Sequence, residues 1–436
     1  AQAPGPPLMP GRSAPARFAT LDSGVRVVTE AMPSVRSIAL GLWIRAGSRD
    51  EEVHQAGISH FLEHMLFKGT ERFSSREIDE AFDAMGAEVN AGTGKETTSV
   101  YSRFLDGHLE RAFDVLQDMV LRPAYPDVDS EREVVIEEIA MYEDEPSDKV
   151  HDVLAEAIFG DHPLGRPIIG RADVISSVPV PQIAEWHTGR YVPGNMVVAA
   201  AGNLEHEEIV ALVERAVGAG TRATPAEAAA SPNGPAPILR FHPKETEQYH
   251  LCLGGPGMPR GDDRRFALRV LDTILGGSTS SRLFQEVREK RGLAYSVYSY
   301  ASHYFDSGQV GLYVGTRPDR VREAMEVIGD ELRRLQEDGV SEAELELARE
   351  NVKGRTVLSM ESTLTRMNRL GSSVLMGVPL LTVDEVLAAF DAVTLDDVTS
   401  VARDLWRPDT MSAAGVGGDE DAFRNALSDA GLSAAA

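Results

Sequence analysis

The sequence predicts an α+β protein of two homologous domains, each a largely antiparallel sheet with helices packed on one side. Three observations lead to this prediction: the length, a linker near the middle and an internal repeat. A chain of 436 residues is too long for one hydrophobic core and long enough for two domains of about 200 residues. The stretch 218–237 is rich in Gly, Ala, Thr, Pro and Ser, a composition that packs poorly and is typical of a linker.

The internal repeat relates the two sides of that linker. Segment 178–202 opens with a stretch from Val178 to Ile183 that corresponds to Val393–Val398, passes through Pro193 and ends in an Ala-rich strand. Segment 393–417 repeats this order at the same internal offset, with Pro408 in the place of Pro193. Such a repeat indicates a duplicated domain. We therefore divide the chain into a flexible leader at 1–16, an N-terminal catalytic domain at 17–218, a linker at 219–236 and a C-terminal domain at 237–436.

Composition and charge exclude several classes of protein. The hydrophobic content of 42% and charged content of 25% are those of a soluble globular protein, and no apolar run reaches the roughly 18 residues of a membrane helix. We therefore expect no membrane partner, and a formal charge of -25 would repel phosphate, so nucleic acid is not an expected partner either. Cys252 is the only cysteine, which excludes an internal disulfide and is typical of a reducing compartment, so we expect a cytoplasmic protein.

The most informative motif in the chain reads His60-Phe-Leu-Glu63-His64. On a helix, the imidazoles of His60 and His64 share one face, and Glu63 lies on nearly the same arc. They can supply two metal ligands and a general base, as in zinc peptidases with the inverted His-X-X-Glu-His order. The flanking residues predict an apolar helix that begins at Ser59 and ends at Gly69. A hydrogen-bonded core cluster without a metal is the alternative interpretation.

A catalytic zinc needs a third protein ligand, and segment 130–141 offers one. Its helical periodicity places Glu131, Val135 and Glu138 on one stripe, so that Glu138 lies on a partly apolar face. Taken by itself, a glutamate on such a run is usually a solvated helix charge. These residues alone leave the choice between a ligand and a surface charge open.

The pentad, this acidic helix and the later segment Arg288-Glu-Lys-Arg-Gly-Leu-Ala-Tyr295 together resemble the insulinase/pitrilysin family of zinc metallopeptidases. The resemblance covers nearly the whole chain and is to the branch of bacterial processing-peptidase-like proteins and the mitochondrial processing peptidase. It implies that Glu138 is the third ligand of one Zn2+ per chain, that Glu63 is the catalytic base and that Glu131 orients the site. It also implies a clam-shell chamber, of which one such chain forms half.

The same resemblance assigns residues to the substrate. Segment 86–91 is similar to the family's edge strand, along which an extended peptide adds as a further strand, so Asn90 and Ala91 become substrate-binding positions. The alternating, Thr-, Val- and Tyr-rich stretch 88–101 agrees with a half-buried strand pair, and an unpaired edge is a template for a peptide. An ordinary internal hairpin is the alternative.

Arg288 and Tyr295 match an Arg/Tyr pair that the family's second domain contributes to the cleft, where a cation and a phenol can support a developing oxyanion. Composition alone describes them as a surface helix residue and a strand aromatic. Asp148 and Asp152 match acidic positions with which the mitochondrial enzyme binds an arginine, so we expect a preference for Arg-containing peptides. Without the resemblance, the acidic run around them is a solvated turn.

The second half has no histidine near 269–273, the counterpart of the pentad, so we do not expect it to hold a metal. Because one chain carries both the zinc motif and the Arg/Tyr pair, we expect a homodimer in which each site takes Arg288 and Tyr295 from its partner. A heterodimer with a paralogue stays open. The predicted function is a zinc endopeptidase for extended or unfolded peptides. Its rivals are a non-catalytic scaffold, as some family members have become, a subunit of a heterodimeric peptidase, and a metal-site protein with a different hydrolytic task.

Overall fold

A computed structural model describes residues 16–218, 231–232 and 236–432 of the chain. The predicted leader, apart from its last residue, and most of the predicted linker lie outside the described residues. The strands are β1 (Arg17–Thr20), β2 (Arg26–Ala31), β3 (Ser37–Ile44), β4 (Glu88–Thr93), β5 (Thr98–Leu105), β6 (Met196–Gly202), β7 (Leu239–Pro243), β8 (Tyr249–Pro256), β9 (Ala294–His303), β10 (Gly308–Thr316) and β11 (Ser412–Gly417).

Helices fill most of the chain between these strands. They are α1 (Ile58–Leu66), α2 (Ser75–Met85), α3 (Leu109–Leu121), α4 (Val128–Asp144), α5 (Pro146–Phe159), α6 (Ala172–Ile175), α7 (Val180–Arg190), α8 (His206–Val217), α9 (Arg265–Leu275), α10 (Val321–Glu337), α11 (Glu342–Ser359), α12 (Thr363–Leu375), α13 (Val383–Asp391), α14 (Leu395–Leu405) and α15 (Glu420–Asp429). A turn of π-helix covers Phe284–Glu289. No helix among the described residues combines the length and apolar character that crossing a membrane requires.

The strands form two sheets with one shared topology. The six-stranded sheet has the order β1-β2-β6-β3-β5-β4, and the five-stranded sheet has the order β7-β11-β8-β10-β9. Apart from the additional β1, the two orders correspond strand by strand, with one parallel pair (β2 with β6, β7 with β11) followed by antiparallel pairs. The repeated segments 178–202 and 393–417 end in β6 and β11, which hold the same place in their sheets. The predicted class, two homologous α+β halves with largely antiparallel sheets, is confirmed.

One face of each sheet is covered by helices of its own half. In the first half, apolar side chains of α1 to α4, α7 and α8 pack on the six-stranded sheet and form one core. In the second half, α9, α10, α11, α14 and α15 pack on the five-stranded sheet in the same way. Each of these amphipathic helices therefore turns its apolar side toward one hydrophobic layer in its half.

The other face of each sheet is covered by a helix from the opposite half. Helix α12 packs on β3 and β6, and α5 packs on β8 and β11. The indole Nε1 of Trp43 donates to Sδ of Met367 at 3.3 Å. A Cβ at Gly371 would lie 2.3 Å from that Nε1, so glycine is required for α12 to approach the sheet. Helices α5 and α12 each pack on the sheet of the other half. The domain boundaries at 218 and 237 stay a prediction.

Candidate metal centre

The pentad lies on α1, whose apolar side belongs to the centre of the first core. Phe61, Leu62 and Met65 are fully buried there. His60 and His64 are 13% and 21% exposed and face α4 instead. The alternation of three buried apolar residues with two less buried imidazoles follows from the 3.6-residue period of the helix.

The start of α1 differs from the prediction. The helix begins at Ile58 and ends at Leu66, so the predicted limits at Ser59 and Gly69 are wrong. The preceding residue, Gly57, has a φ of 96° and no capping side chain of its own. The carboxylate of Glu51 replaces the missing cap, accepting the N–H of Gly57 at 2.8 Å and of Ser59 at 2.9 Å. Burial raises the pKa of Glu51 to about 7.

Helix α4 brings Glu138 to the two histidines. Its Oε2 lies 3.3 Å from Nε2 of His64 and 3.7 Å from Nε2 of His60. One ligand atom from each of the three residues lies within 4.8 Å of the other two. Val135 and Ile139 on the same helix are buried in the first core, which fixes the side of α4 that faces α1.

These three side chains fit a zinc ion. Zinc–ligand bonds of 2.0–2.1 Å in a tetrahedral site separate the ligand atoms by about 3.4 Å, close to the two distances from Glu138. Two imidazole nitrogens and a glutamate oxygen are also a donor set of catalytic zinc sites. Burial, with a smaller effect of the His64 charge, lowers the pKa of His60 to about 4, so that this imidazole is neutral near pH 7. In the part of the chain that the structure describes, this is the one such cluster of His, Cys, Asp or Glu, and the second half contains none.

Glu131, one helical repeat before Glu138, contacts the outer nitrogen of His64. Its Oε1 lies 2.8 Å from Nδ1 of His64, and its Oε2 lies 2.5 Å from Nζ of Lys68. The carboxylate is 7% exposed. A buried carboxylate that accepts the Nδ1–H of a histidine directs the ring's Nε2 outward, as is usual around metal-binding histidines. Lys68, two residues beyond the end of α1, was not among the predicted site residues.

Glu63 lies next to the ligands and is held by strand β4. The hydroxyl of Thr93, the last residue of β4, donates to Oε2 of Glu63 at 2.5 Å. Burial raises the pKa of Glu63, and the Thr93 hydrogen bond opposes that effect. Thr93 was not among the predicted site residues. No local pattern distinguishes it from other strand threonines, and only its closeness to Asn90 on one strand would have suggested it.

Strand β4 is the last strand of its sheet, so one of its edges has no strand beside it. Asn90 and Ala91 lie in the middle of β4, opposite Tyr101 and Val100 of β5. Asn90 is exposed, and its Oδ1 accepts the N–H of Ala91 at 2.8 Å. The side chain of Asn90 thus satisfies a backbone donor of the edge strand.

Arg288 and Tyr295 contact each other in the second half. The guanidinium of Arg288 lies 4.7 Å from the ring centre of Tyr295 and 4.7 Å from that of Phe284, which brackets it between two aromatic faces. Tyr295 is 78% exposed. The contacts that the structure describes for this pair lie within the second half of the chain, and none joins it to the histidines of α1.

Asp148 and Asp152 lie on consecutive turns of α5, beside the end of α4. Asp148 is exposed, and Asp152 is partly buried. Burial raises the pKa of Asp152, and the charges of Lys95 and Lys149 oppose this effect. Asp152 and Lys149 line a cavity of 640 Å³ together with Arg166 and Arg240. Asp152 therefore faces cations of its own chain as well as open space.

Comparisons with known proteins agree with this fold. Residues 26–172 match the model of the insulinase family, peptidase family M16, and residues 177–352 match the model of the peptidase M16 inactive domain. An uncharacterized zinc protease of Streptomyces coelicolor is 45% identical over 418 residues, which cover 94% of this chain and 91% of the relative. The uncharacterized zinc protease YmxG of Bacillus subtilis is 44% identical over 392 residues, covering 89% and 95%.

Solved structures share the whole fold. A peptidase M16 inactive domain structure from Pseudomonas fluorescens has a TM-score of 0.87 at 22% identity, covering 93% of this chain and 98% of that one. A protease from Helicobacter pylori has a TM-score of 0.87 at 21% identity, covering 92% and 99%. The relatives place the protein in the general class of zinc proteases. The chain belongs to the insulinase family, peptidase family M16, and the predicted family resemblance is confirmed.

Proposed function

We propose that this protein is a zinc endopeptidase that hydrolyses extended or unfolded peptides, with one Zn2+ per chain. The observation that carries the proposal is the convergence of His60 Nε2, His64 Nε2 and Glu138 Oε2, with Glu63 on the same helix as the two histidines. Relatives that are named zinc proteases at 44–45% identity support it.

In this proposal His60, His64 and Glu138 hold the ion, and Glu131 orients the His64 ring through its Nδ1. A bound zinc ion supplies a Lewis acid that polarises a carbonyl and makes water easier to deprotonate. Glu63 accepts a proton from the attacking water and delivers it to the leaving amine nitrogen. Thr93 holds one oxygen of that carboxylate at 2.5 Å, which fixes its orientation for the transfer.

The substrate adds to the open edge of β4. A peptide strand there replaces the Asn90 side chain as the acceptor for the N–H of Ala91 and gains main-chain hydrogen bonds along the strand. Thr93 joins this strand to Glu63, so a peptide lying along β4 passes next to the base. Only an extended segment can pair in this way, which favours unfolded peptides over folded proteins.

Acidic groups near the site favour basic substrates. The formal charge is -25, and Asp148 and Asp152 lie at the start of α5, directly after the helix that carries Glu138. We propose that they bind an arginine of the substrate. Lys95 and Lys149 already oppose the charge of Asp152, so we expect the exposed Asp148 to contribute more to this preference.

The protein acts as a homodimer in this proposal, with each site completed by Arg288 and Tyr295 of the partner copy. The 78% exposure of Tyr295 and the stacking of Arg288 against it support a preformed pair that is free to face another chain. A heterodimer with a paralogue uses the same pair. The single, buried Cys252 agrees with a reducing compartment such as the cytoplasm.

The test compares the wild-type chain with Glu63→Gln and with Glu137→Gln, an exposed control on α4. On an unstructured, arginine-containing peptide, we expect Glu63→Gln to lower kcat by about 10²–10⁴ with unchanged zinc content, since general base catalysis contributes about that much. Chelation should abolish wild-type cleavage, and zinc should restore it. A zinc-loaded wild-type chain that cleaves no peptide would support the scaffold. Cleavage by Glu63→Gln at the wild-type rate would remove Glu63 from the mechanism.

A further inference from the structure

Arg49 is a buried cation that two carboxylates share. Its side chain is 4% exposed. Nη1 donates to Oε1 of Glu96 at 2.6 Å, while Nη1 and Nη2 donate to Oδ1 and Oδ2 of Asp306 at 2.7 Å each. The Asp306 contact is therefore bidentate, the geometry for which a guanidinium is preorganised and a lysine is not.

The two carboxylates belong to hairpin turns in different halves. Glu96 lies in the turn between β4 and β5, and Asp306 lies in the turn between β9 and β10. The N–H of Phe305 donates to both oxygens of Glu96, at 2.9 and 3.0 Å, and the guanidinium of Arg45 lies 4.6 Å from the Phe305 ring centre. The tips of the two hairpins are thus joined to each other as well as to Arg49.

The β4–β5 turn is also fixed on its other side, to the segment that precedes α1. The N–H of Ser48 donates to the carbonyl of Gly94 at 3.2 Å, and the N–H of Arg49 donates to the carbonyl of Lys95 at 2.7 Å. A Cβ at Gly47 would lie 2.4 Å from the Gly94 oxygen, so the two segments approach as closely as glycine permits. Two residues after Arg49, Glu51 caps the metal-binding helix.

We propose that Arg49, Glu96 and Asp306 form a clasp through which the second half positions the β4 edge relative to the metal centre. The clasp holds the β4–β5 turn at Glu96, three residues beyond Thr93, which ends β4 and contacts Glu63. Arg49, Glu96 and Asp306 are positioning residues, because they act on the substrate through β4. The inference rests on the proposed function, in which β4 receives the peptide.

The buried setting makes the clasp sensitive to a single change. Arg49 is 4% exposed and Glu96 is 9% exposed, so removal of the Asp306 charge takes a carboxylate partner from a buried cation. Arg49 would keep Glu96 but lose its bidentate contact across the halves. The expected consequence is a β4 edge that moves relative to Glu63, and a misplacement of about 1 Å can cost up to about 10²-fold in rate.

The test uses the full-length, zinc-loaded chain with Asp306→Asn and Asp306→Glu. The matched control is Asp404→Asn, which removes an exposed ion pair with Arg264 in the same half. For Asp306→Asn we expect kcat/KM on an unstructured peptide to fall by about tenfold, with KM raised because the β4 edge aligns the peptide less well and kcat lowered because Thr93 of β4 orients Glu63. Zinc content should stay unchanged, and hydrogen exchange should become faster in 88–105. Asp306→Glu should restore both values in part, and Asp404→Asn should change neither.

A wild-type KM and wild-type exchange in 88–105 for Asp306→Asn would overturn the clasp, even if its melting temperature were lower. If Asp306→Asn does not fold, Arg49→Lys keeps the charge, loses the bidentate contact and should change KM and exchange in the same direction. Should the wild-type chain cleave no peptide, the proposed function fails. The exchange comparison then still decides the clasp, because it is made without substrate.

Discussion

Replacing Glu131 with glutamine tests how the residues behind the ligands support the metal. The two oxygens of Glu131 contact different partners: Oε1 lies 2.8 Å from His64 Nδ1, and Oε2 lies 2.5 Å from Lys68 Nζ. Glutamine keeps the shape but loses the charge and one of the two acceptors. Its amide therefore cannot accept from both neighbours, and His64 loses the carboxylate that directs its Nε2 toward Glu138.

The expected magnitude follows from that geometry. Loss of a carboxylate behind a metal-binding histidine typically weakens metal binding by about 10–100-fold, or about 1.4–2.7 kcal/mol. Lys68 is 35% exposed and can turn toward water when its partner loses charge, which limits the cost to folding. We therefore expect most of the effect in zinc affinity and little in the stability of the metal-free chain.

The assay is competition for zinc against a chromogenic chelator, with Glu133→Gln as an exposed control on the same helix. Thermal unfolding of the metal-free proteins measures the folding contribution separately. Glu131→Gln should bind zinc at least about tenfold more weakly than the wild type and the control. Wild-type zinc affinity in Glu131→Gln would refute the assignment of Glu131 as the residue that orients His64.

Three further predictions concern the dimer, the substrate and acid stability. An equal mixture of Glu63→Gln and Arg288→Ala chains should regain about a quarter of wild-type activity, because half of the dimers carry one intact site; no recovery would contradict the shared site. Asp148→Ala should weaken the preference for arginine in a peptide library more than Asp152→Ala, and an unchanged preference in both would refute an arginine site. Hydrogen bonding from Arg49 lowers the pKa of Asp306 to about 2, below the value of about 3.9 in unfolded chains, so its contribution is present above about pH 4 and lost as the pH falls toward 2. The denaturation midpoint of the wild type should therefore approach that of Asp306→Asn in acid, and a pH-independent difference would contradict this.

Local features of the site could be predicted from the sequence. His60, Glu63 and His64 lie within little more than one helical turn, so the helical period alone brings them to one face. The fold class was predictable for a similar reason, since the repeated segments 178–202 and 393–417 carry the same strand in each half. These predictions depend on short-range spacing, which a sequence shows directly.

The place of Glu138 beside the histidines could not be derived from periodicity. Its helix is equally compatible with a solvated charge at that position, and the family resemblance alone favoured a ligand. The contact depends on how α4 crosses α1, which the burial of Val135 and Ile139 decides. Such packing depends on the tertiary structure, and the position of a residue on its own helix does not predict it.

The contacts between the halves were not predicted at all. Arg49 and Asp306 are 257 residues apart, and α5 and α12 each cover the sheet of the opposite half. An arginine in a single 3-10 turn and an aspartate in a hairpin turn carry no local sign of a partner. Thr93 was missed for the same reason, because its contact with Glu63 joins a strand to a helix.

A crystal structure of the zinc-loaded chain, with an anomalous difference map at the zinc edge, tests the central claim most directly. We expect one peak per chain, about 2.0–2.2 Å from Nε2 of His60, Nε2 of His64 and a carboxylate oxygen of Glu138. A peak elsewhere, or a zinc ion that Glu138 does not contact, would contradict the proposed centre.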